Sequence, residues 1–279
     1  MGKRQVSGGR NTSRWYKALV LVLSSVLLLS ISGFLFRLLE YRSAATEYAE
    51  IAHQMDGAYM QTTEPACTPE NTAVPLPAAS PARPVVTPPV YYSRQMRSLK
   101  AQNKDAVGYI EIDGTVIQYP VVRGKDNTYY EKHTFLKRKN ASGAIFKDSK
   151  NAADLSDFNL VLYGHNMKDG SMFHELLQYR KTAFTSKHRK IVLTGLYEKK
   201  IFYVFSAYTC RQGTDVRGFQ HMTMEEKQIF LNVIANRSVI SAGSAILTAD
   251  SQIITLVTCR ENSDKDYFVV HGILIKAED

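Results

Sequence analysis

The sequence predicts a mainly β protein: a closed β-barrel with a few peripheral helices, preceded by an N-terminal transmembrane helix. The C-terminal two thirds contain many short apolar runs separated by turn residues, a pattern typical of barrels. The N-terminal part holds one long uncharged apolar run, and eight of the nine prolines fall in a single stretch between these two regions. At 279 residues the chain has room for one large or two small domains, and the proline stretch favours one folded domain after a linker.

The apolar run Ala18 to Phe36 carries no charge and approaches the ~20 residues that cross the hydrocarbon core of a bilayer. Every charged residue before it is basic, and positive flanks stay cytoplasmic. A cleaved signal peptide is the alternative, because Ser43-Ala44-Ala45 offers small residues, but the run is longer than a usual signal-peptide core. We therefore expect an uncleaved single-pass anchor in the plasma membrane, with residues 1–17 inside the cell and the C-terminal bulk outside.

The remaining boundaries follow from composition. Residues 37–61 form a juxtamembrane segment between the anchor and the prolines. Thr62 to Pro89 is rich in Pro, Ala and Thr and lacks hydrophobic periodicity, so residues 62–90 are predicted to be an extended, semi-rigid linker. Residues 91–279 are then left as the folded domain, with 18–36 as the transmembrane anchor.

The net charge of +9 does not indicate a nucleic-acid partner. Five of these charges precede the anchor and are explained by membrane topology; they come from Lys3, Arg4, Arg10, Arg14 and Lys17. No zinc-finger spacing, Gly-rich phosphate loop or basic helix with interleaved aromatics is present in the sequence. The histidines are too scattered to predict a metal site, and we expect no cofactor.

Strands are predicted throughout the domain. Val107 to Ile112, the turn Asp113-Gly114 and Thr115 to Val122 form a hairpin pattern. Further strands are predicted at Leu160 to Tyr163, Ile191 to Leu196, Lys200 to Thr209, Ile246 to Thr248, Gln252 to Thr258 and Tyr267 to Lys276.

Three helices are predicted between the strands. Thr223 to Asn236 begins with a capping box and continues with one apolar face, formed by Ile229, Phe230, Val233 and Ile234. A shorter helix is predicted after Ser171, with Phe173, Leu176 and Leu177 facing inward, and another over Ser93 to Gln102.

A thiol and an imidazole both follow apolar strands, at Cys259 and His165. A Cys and a His at two strand ends are the minimal parts of a thiol acyl-transfer site, because the imidazole can supply the nucleophilic thiolate. On spacing alone, a small buried cysteine and a surface histidine are the more common alternative. Three cysteines form no disulfide framework. Cys67 falls in the linker and Cys210 ends a strand, so a Cys67–Cys210 disulfide stays open while Cys259 is the best candidate for a reactive thiol.

The residues around these two positions carry a resemblance to a known family. Leu162 to Phe173, with the sequence LYGHNMKDGSMF, closely resembles the histidine motif of class B sortases, and Thr255 to Cys259 resembles their Thr-Leu-x-Thr-Cys strand end. The class B region before the histidine is similar to Asn127-Thr128-Tyr129-Tyr130, followed by Phe135, Gly143, Ile145-Phe146 and Asp148. The resemblance covers about residues 91 to 279, and a helix such as that at Thr223 to Asn236 is typical of the class.

This resemblance implies a fold, a reaction and partners. The fold is the sortase barrel. The reaction is cleavage of a C-terminal sorting motif after Thr through a thioacyl-enzyme, which an amine of the cell wall or of a pilin then resolves. Cys259 would be the nucleophile and His165 the general acid and base, with Asn127 and Asn166 as weaker candidates that line the site. The partners would be sorting-motif surface proteins or pilins and a cell-wall precursor or pilin amine.

One position departs from the family pattern. Sortases carry an Arg on the strand after the Cys, where it holds substrate or stabilises the oxyanion, and aligning Val269-Val270 with that strand puts Tyr267 near the position. No Arg follows Arg260, so Tyr267, Arg260 or Lys265 is expected to supply the missing support. Losing one oxyanion donor typically costs about a hundred- to a thousand-fold in rate. An active or attenuated transpeptidase is therefore expected, with a sortase-like binding module and a thiol hydrolase as the alternatives.

Overall fold

The computed structural model describes residues 11–56, 93–211, 222–241, 247–260 and 263–278, and the expected linker at 62–90 lies outside them. In chain order the elements are α1 (Asn11–Asp56), α2 (Arg94–Gln102), β1 (Ala106–Ile112), β2 (Gln118–Val122), β3 (Ile145–Lys147), β4 (Asn159–Tyr163), a 3₁₀ helix (His174–Arg180), α3 (Thr182–Lys187), β5 (Lys190–Gly195), β6 (Lys199–Arg211), α4 (Met224–Asn236), β7 (Ile253–Arg260) and β8 (Ser263–Glu278). Within the described residues the eight strands close into a barrel in the order β1-β2-β3-β4-β7-β8-β6-β5, which confirms the predicted fold class.

Two of the strand pairs are parallel, β2 with β3 and β4 with β7, and the other six are antiparallel. The β1–β2 pair is the predicted hairpin. Its turn requires a left-handed backbone at Gly114, where φ is +73°. The β4–β7 pair joins the two strands that precede His165 and Cys259.

The predicted strands are confirmed to within a few residues, with three differences. Strand β2 begins at Gln118 instead of Thr115, because the turn continues through Thr115 and Val116. The strand expected at Ile246 to Thr248 is wrong: Leu247 and Thr248 are irregular, and Ile246 lies outside the described residues. The three-residue strand β3 was not predicted.

Helix α4 has the predicted capping box. The Thr223 hydroxyl accepts from the backbone N–H of Glu226 at 3.2 Å, and the Glu226 carboxylate accepts from the backbone N–H of Thr223 at 2.7 Å. Its buried side chains are Phe230, Leu231 and Ile234, whereas Ile229 is 55% exposed. The expected inward position of Ile229 is therefore wrong, because the buried face is rotated toward Leu231.

The two shorter predicted helices are also present. Ser93 caps α2 by accepting from the backbone N–H of Met96. The segment after Ser171 is a 3₁₀ helix, and Phe173, Leu176 and Leu177 are buried as expected.

Helix α1 is a single helix of 46 residues. Its apolar stretch, within Trp15–Met55, is a candidate membrane span by length and composition. Beyond that stretch the helix lies on the barrel, where Ala44, Tyr48 and Ile51 are buried.

The two faces of β7 contact different hydrophobic clusters. Ile254 and Leu256 belong to the main core, while Ile253 and Val257 belong to a second cluster that includes Phe230, Leu231 and Ile234 of α4. Alternate residues of a strand point to opposite faces. The side of β7 that carries Val257 therefore faces α4.

Candidate active site

The chain leaves β4 in contact with β7. Tyr163, the last residue of β4, is the partner of Val257 in the parallel pair, and the backbone N–H of Gly164 donates to the carbonyl of Val257 at 3.1 Å. A Cβ on Gly164 would lie 2.4 Å from Ile145 Cδ1 and 2.7 Å from the Phe173 ring, so only glycine fits. The hydrogen bond between Gly164 and Val257 therefore places the next residue, His165, beside β7.

The same register brings the two sequence-predicted residues together. Because Tyr163 lies opposite Val257 in a parallel pair, two further residues along each chain lead to His165 and Cys259 at neighbouring strand ends. The two-residue period of a strand assigns Cys259 to the face of Val257, which packs toward α4. The side chains of Cys259 and Arg260 lie outside the described part of the structure.

The imidazole of His165 is held by the backbone. Its Nε2 lies 2.7 Å from the carbonyl oxygen of Glu131. Because a carbonyl only accepts hydrogen bonds, Nε2 carries the hydrogen in this contact. The neutral ring then has its lone pair on Nδ1, which is the atom available to exchange a proton at the site.

The loop after His165 folds back on itself. The N–H of Phe173 donates to the carbonyl of His165 at 2.9 Å, and Asn166 and Met172 form an isolated β-bridge. The Asn166 side-chain oxygen lies 2.6 Å from Nδ1 of His174. Asn166 therefore joins the two ends of this loop, next to His165 in the chain.

Asn127 also has a structural contact. Its side-chain oxygen accepts from the backbone N–H of Ser149 at 2.7 Å and so ties the segment before the hairpin at His133 and Lys139 to the end of β3. The side-chain oxygen of Asn127 is thus already engaged in a hydrogen bond within the protein.

Tyr267 lies directly beside the cysteine in the sheet. It is the antiparallel partner of Cys259 in β7 and of Cys210 in β6. Direct cross-strand partners have side chains on the same face of a sheet. The register between Cys259 and Arg260 is irregular, because Arg260 pairs with Ser263, and Lys265 has its side chain outside the described part of the structure.

A buried polar network is centred on Thr255, four residues before Cys259 on β7. The Thr255 hydroxyl donates to the Asn159 side-chain oxygen at 2.7 Å and accepts from Nδ1 of His271 at 2.9 Å. Nε2 of His271 then accepts from the Tyr208 hydroxyl at 3.2 Å. Burial lowers the pKa of His271 from 6.5 to about 3, because the charged ring would be desolvated.

Sequence reasoning missed the part of Glu131 in the site. Its contribution is a backbone carbonyl, so the residue type carries no signal. An indirect signal exists in Gly143, whose φ is +56° and whose Cβ would lie 2.8 Å from that same carbonyl oxygen. In the described part of the chain, no three His, Cys, Asp or Glu residues are arranged to hold a metal ion.

Comparison with known proteins gives a consistent result. The model of the sortase domain family matches residues 110–275. Sortase B of Listeria monocytogenes is 36% identical over 188 residues, covering 65% of this chain and 74% of that protein. Sortase B of Staphylococcus aureus is 35% identical over 167 residues, covering 60% and 68%.

Solved structures of similar proteins agree in fold. The Staphylococcus aureus sortase B–substrate complex matches with a TM-score of 0.69 at 28% identity, covering 85% of this chain and 99% of that one. Bacillus anthracis sortase B in complex with AAEK1 matches with a TM-score of 0.67 at 29% identity, covering 85% and 99%. With the histidine and cysteine motifs on adjacent parallel strands of a matching barrel, the chain belongs to the sortase family, in class B.

Proposed function

We propose that this protein is a cell-surface cysteine transpeptidase that cleaves a C-terminal sorting motif after Thr and joins the new carboxyl end to an amine. The β4–β7 register carries the proposal, because it supports a thiol and an imidazole at neighbouring strand ends. One matching sortase B structure is a complex with triglycine, a peptide with a free amine, at 28% identity and a TM-score of 0.69. An amine acceptor from the cell wall or a pilin fits the same reaction here.

The steps follow from the orientation of His165. The Cys259 thiol gives its proton to Nδ1 of His165, and the thiolate forms a C–S bond to the Thr carbonyl carbon. The resulting oxyanion collapses and breaks the C–N bond. Nδ1–H of His165 protonates the leaving amine, since Nε2–H is engaged by Glu131. The acceptor amine then gives a proton to Nδ1 and attacks the thioester carbon, and the C–S bond breaks to return the thiolate.

We assign the oxyanion support to the residues nearest the cysteine. Tyr267 is its direct partner across β7 and β8, so its hydroxyl is the first candidate donor, and Arg260 is the second because it follows the cysteine in the chain. Asn166 and Asn127 support the site through the loop contacts described above. A tyrosine in place of the family arginine supplies a hydrogen bond without a charge, so the enzyme is an attenuated one.

The proposed location is the outer face of the plasma membrane. Helix α1 continues without a break from its apolar stretch to Asp56, and Ala44 is buried against the barrel. A signal peptidase site at Ser43-Ala44-Ala45 would have to open this packed helix. We therefore propose an uncleaved anchor with the basic residues 1–17 in the cytoplasm and the domain outside.

The test uses the full chain in detergent micelles, with a panel of sorting-motif peptides and amines, followed by intact-mass and product analysis. The wild type is expected to form a thioacyl adduct and a joined product. Cys259→Ala should form neither, and His165→Gln should turn over about a hundred- to ten-thousand-fold more slowly. Cys210→Ala and the exposed His53→Gln are the matched controls and should retain turnover.

The alternatives give different products. Peptide hydrolysis that no amine diverts to a joined product would identify a thiol hydrolase. Peptide binding without an adduct would identify a binding module, which the missing arginine favours. Turnover that survives in Cys259→Ala would overturn the proposed nucleophile.

A further inference from the structure

The juxtamembrane part of α1 lies directly on the segment that holds the catalytic imidazole. We call residues 130–143 the support segment, because Glu131 within it accepts the hydrogen bond from His165. The segment is a hairpin-like loop: the N–H of Asn140 donates to the carbonyl of Lys132, and His133 bridges Lys139. Its outer side contacts Glu40, Glu47 and Tyr48 of α1.

Tyr48 contacts the support segment next to Glu131. Its hydroxyl donates to the carbonyl of Gly143 at 2.6 Å and accepts from the N–H of Phe135 at 3.2 Å. A Cβ on Gly143 would lie 2.8 Å from the carbonyl oxygen of Glu131, so these two residues are in contact. One hydroxyl, one glycine and one carbonyl thus connect Tyr48 to the ring of His165.

Glu47 fixes the tip of the same segment. Its two carboxylate oxygens accept from the Thr134 hydroxyl and from the N–H of Leu136, each at 2.9 Å. The Glu47 side chain is only 2% exposed. A buried carboxylate with two donors is costly to displace, so the tip of the segment has little freedom to move relative to α1.

Glu40 of α1 makes a third contact, near the C-terminal end of the support segment. The Asn140 side chain donates to the carbonyl of Glu40 at 2.7 Å, and the N–H of Ala141 donates to the Glu40 carboxylate at 3.0 Å. The support segment is therefore held by one helix at its tip, residues 134–136, and at its C-terminal end, residues 140–143. That helix is the same one that contains the candidate membrane span.

We infer that Tyr48 and Glu47 are positioning residues for His165: α1 fixes the support segment, and the segment's Glu131 carbonyl fixes the tautomer and orientation of the imidazole. This rests on the proposed function, in which Nδ1 of His165 exchanges the proton. Without the Tyr48 hydroxyl, the Gly143 carbonyl and the Phe135 N–H lose their partner, and the Glu131 carbonyl is free to shift. A neutral imidazole that loses its acceptor at Nε2 populates the Nδ1–H form, which has no lone pair toward the thiol.

The test uses the full chain in lipid nanodiscs, labelled with ¹⁵N-histidine, and compares Tyr48→Phe with Tyr41→Phe. Tyr41 lies on the same helix and packs against the core, and its hydroxyl makes none of the hydrogen bonds described above between α1 and the support segment. NMR reports the tautomer of His165, assigned by the signal lost in His165→Gln. Melting temperature and kcat/KM for a joined product are measured on the same samples.

The wild type and Tyr41→Phe should hold His165 in the Nε2–H form. Tyr48→Phe should show a mixture of both tautomers and a fall in kcat/KM of about ten-fold, as expected for the loss of one hydrogen bond in the chain of contacts. Thr134→Val, which removes one donor to Glu47, should change the tautomer in the same direction and serves if Tyr48→Phe does not fold.

The inference is overturned if Tyr48→Phe and Thr134→Val keep the wild-type tautomer, or if Tyr41→Phe changes it equally. Failure of the proposed function has a different appearance. The wild type would then lack turnover, while the tautomer comparison would still show whether α1 positions the ring.

Discussion

Thr255 of β7 and His271 of β8 are cross-strand partners whose side chains share a hydrogen bond of 2.9 Å inside the protein. Thr258, three residues further along β7, is equally buried, yet its hydroxyl is the one buried side-chain oxygen in the described residues that has no hydrogen-bond partner. Two buried threonines on β7, the strand that leads to Cys259, therefore differ in whether their hydroxyl is hydrogen-bonded.

That difference predicts opposite effects of the same substitution. Thr258→Val keeps the volume and removes an unsatisfied hydroxyl, so the free energy of unfolding should stay constant or rise by about 1 kcal/mol. Thr255→Val removes the hydroxyl that bonds the Asn159 side-chain oxygen and Nδ1 of His271, and should lower it by about 1–3 kcal/mol. Thermal unfolding of both variants measures this. A fall in Thr258→Val as large as that in Thr255→Val would mean that its hydroxyl has a partner after all.

His271 predicts how stability depends on pH. Its pKa is about 3 in the folded protein against 6.5 for an unperturbed histidine, so between these values the unfolded chain binds a proton that the folded protein does not. Stability should therefore fall as the pH is lowered from about 6.5 toward 3, by about 1.4 kcal/mol per pH unit at most. Above 6.5 this group contributes no pH dependence.

The check is chemical unfolding at pH 7 and pH 4.5 of the wild type and His271→Gln. Gln does not titrate, so its variant should be less stable at pH 7 but should lose less stability at pH 4.5. An equal loss in both proteins would assign the acid sensitivity to other groups.

Gly143 predicts a combined effect on stability and activity. With φ at +56°, an added Cβ is strained, and it would also lie 2.6 Å from the carbonyl of Tyr130 and 2.8 Å from that of Glu131. Gly143→Ala should cost about 1–2 kcal/mol for the left-handed backbone alone, more for the clash, and should lower turnover because the Glu131 carbonyl moves.

Gly114→Ala is the matched control. Gly114 lies in the β1–β2 turn with φ at +73°, and its Cβ would meet only the side chain of His188, which follows α3. It should show a similar backbone cost with turnover retained. Equal turnover in the two variants would argue that the Glu131 carbonyl does not have to be held in place.

The sequence predicted the barrel, and it predicted strands that end near His165 and Cys259, because strand patterns and long motifs are local signals. The catalytic roles of these two residues remain a prediction. The sequence was less informative about a very short strand and about which face of a helix is buried. Strand β3 has only three residues, one of them the buried Lys147, too short for a periodic pattern. The buried face of α4 includes Leu231 instead of Ile229, a rotation that depends on the strands beneath it.

The contacts of α1 with the support segment show a different limit. Ala44, Tyr48 and Ile51 are three or four residues apart and form a helical stripe that could have predicted a docked helix. What they contact could not be predicted, because Tyr48 and Glu47 bind backbone groups of Phe135, Leu136 and Gly143, far along the chain. Backbone donors and acceptors are present at almost every residue, so only the folded structure selects among them.

The pairing of Tyr267 with Cys259 predicts a gain of activity. If a tyrosine in place of the family arginine attenuates the enzyme, Tyr267→Arg should restore charge-assisted donors beside the oxyanion of the tetrahedral intermediate and raise kcat/KM by about ten-fold or more. Tyr267→Phe should lower it, because the hydroxyl is lost. Tyr203→Arg, an exposed tyrosine on β6, is the matched control and should leave it unchanged. If Tyr267→Arg is no faster than the wild type, another group already stabilises the oxyanion, and Arg260 becomes the residue to substitute next.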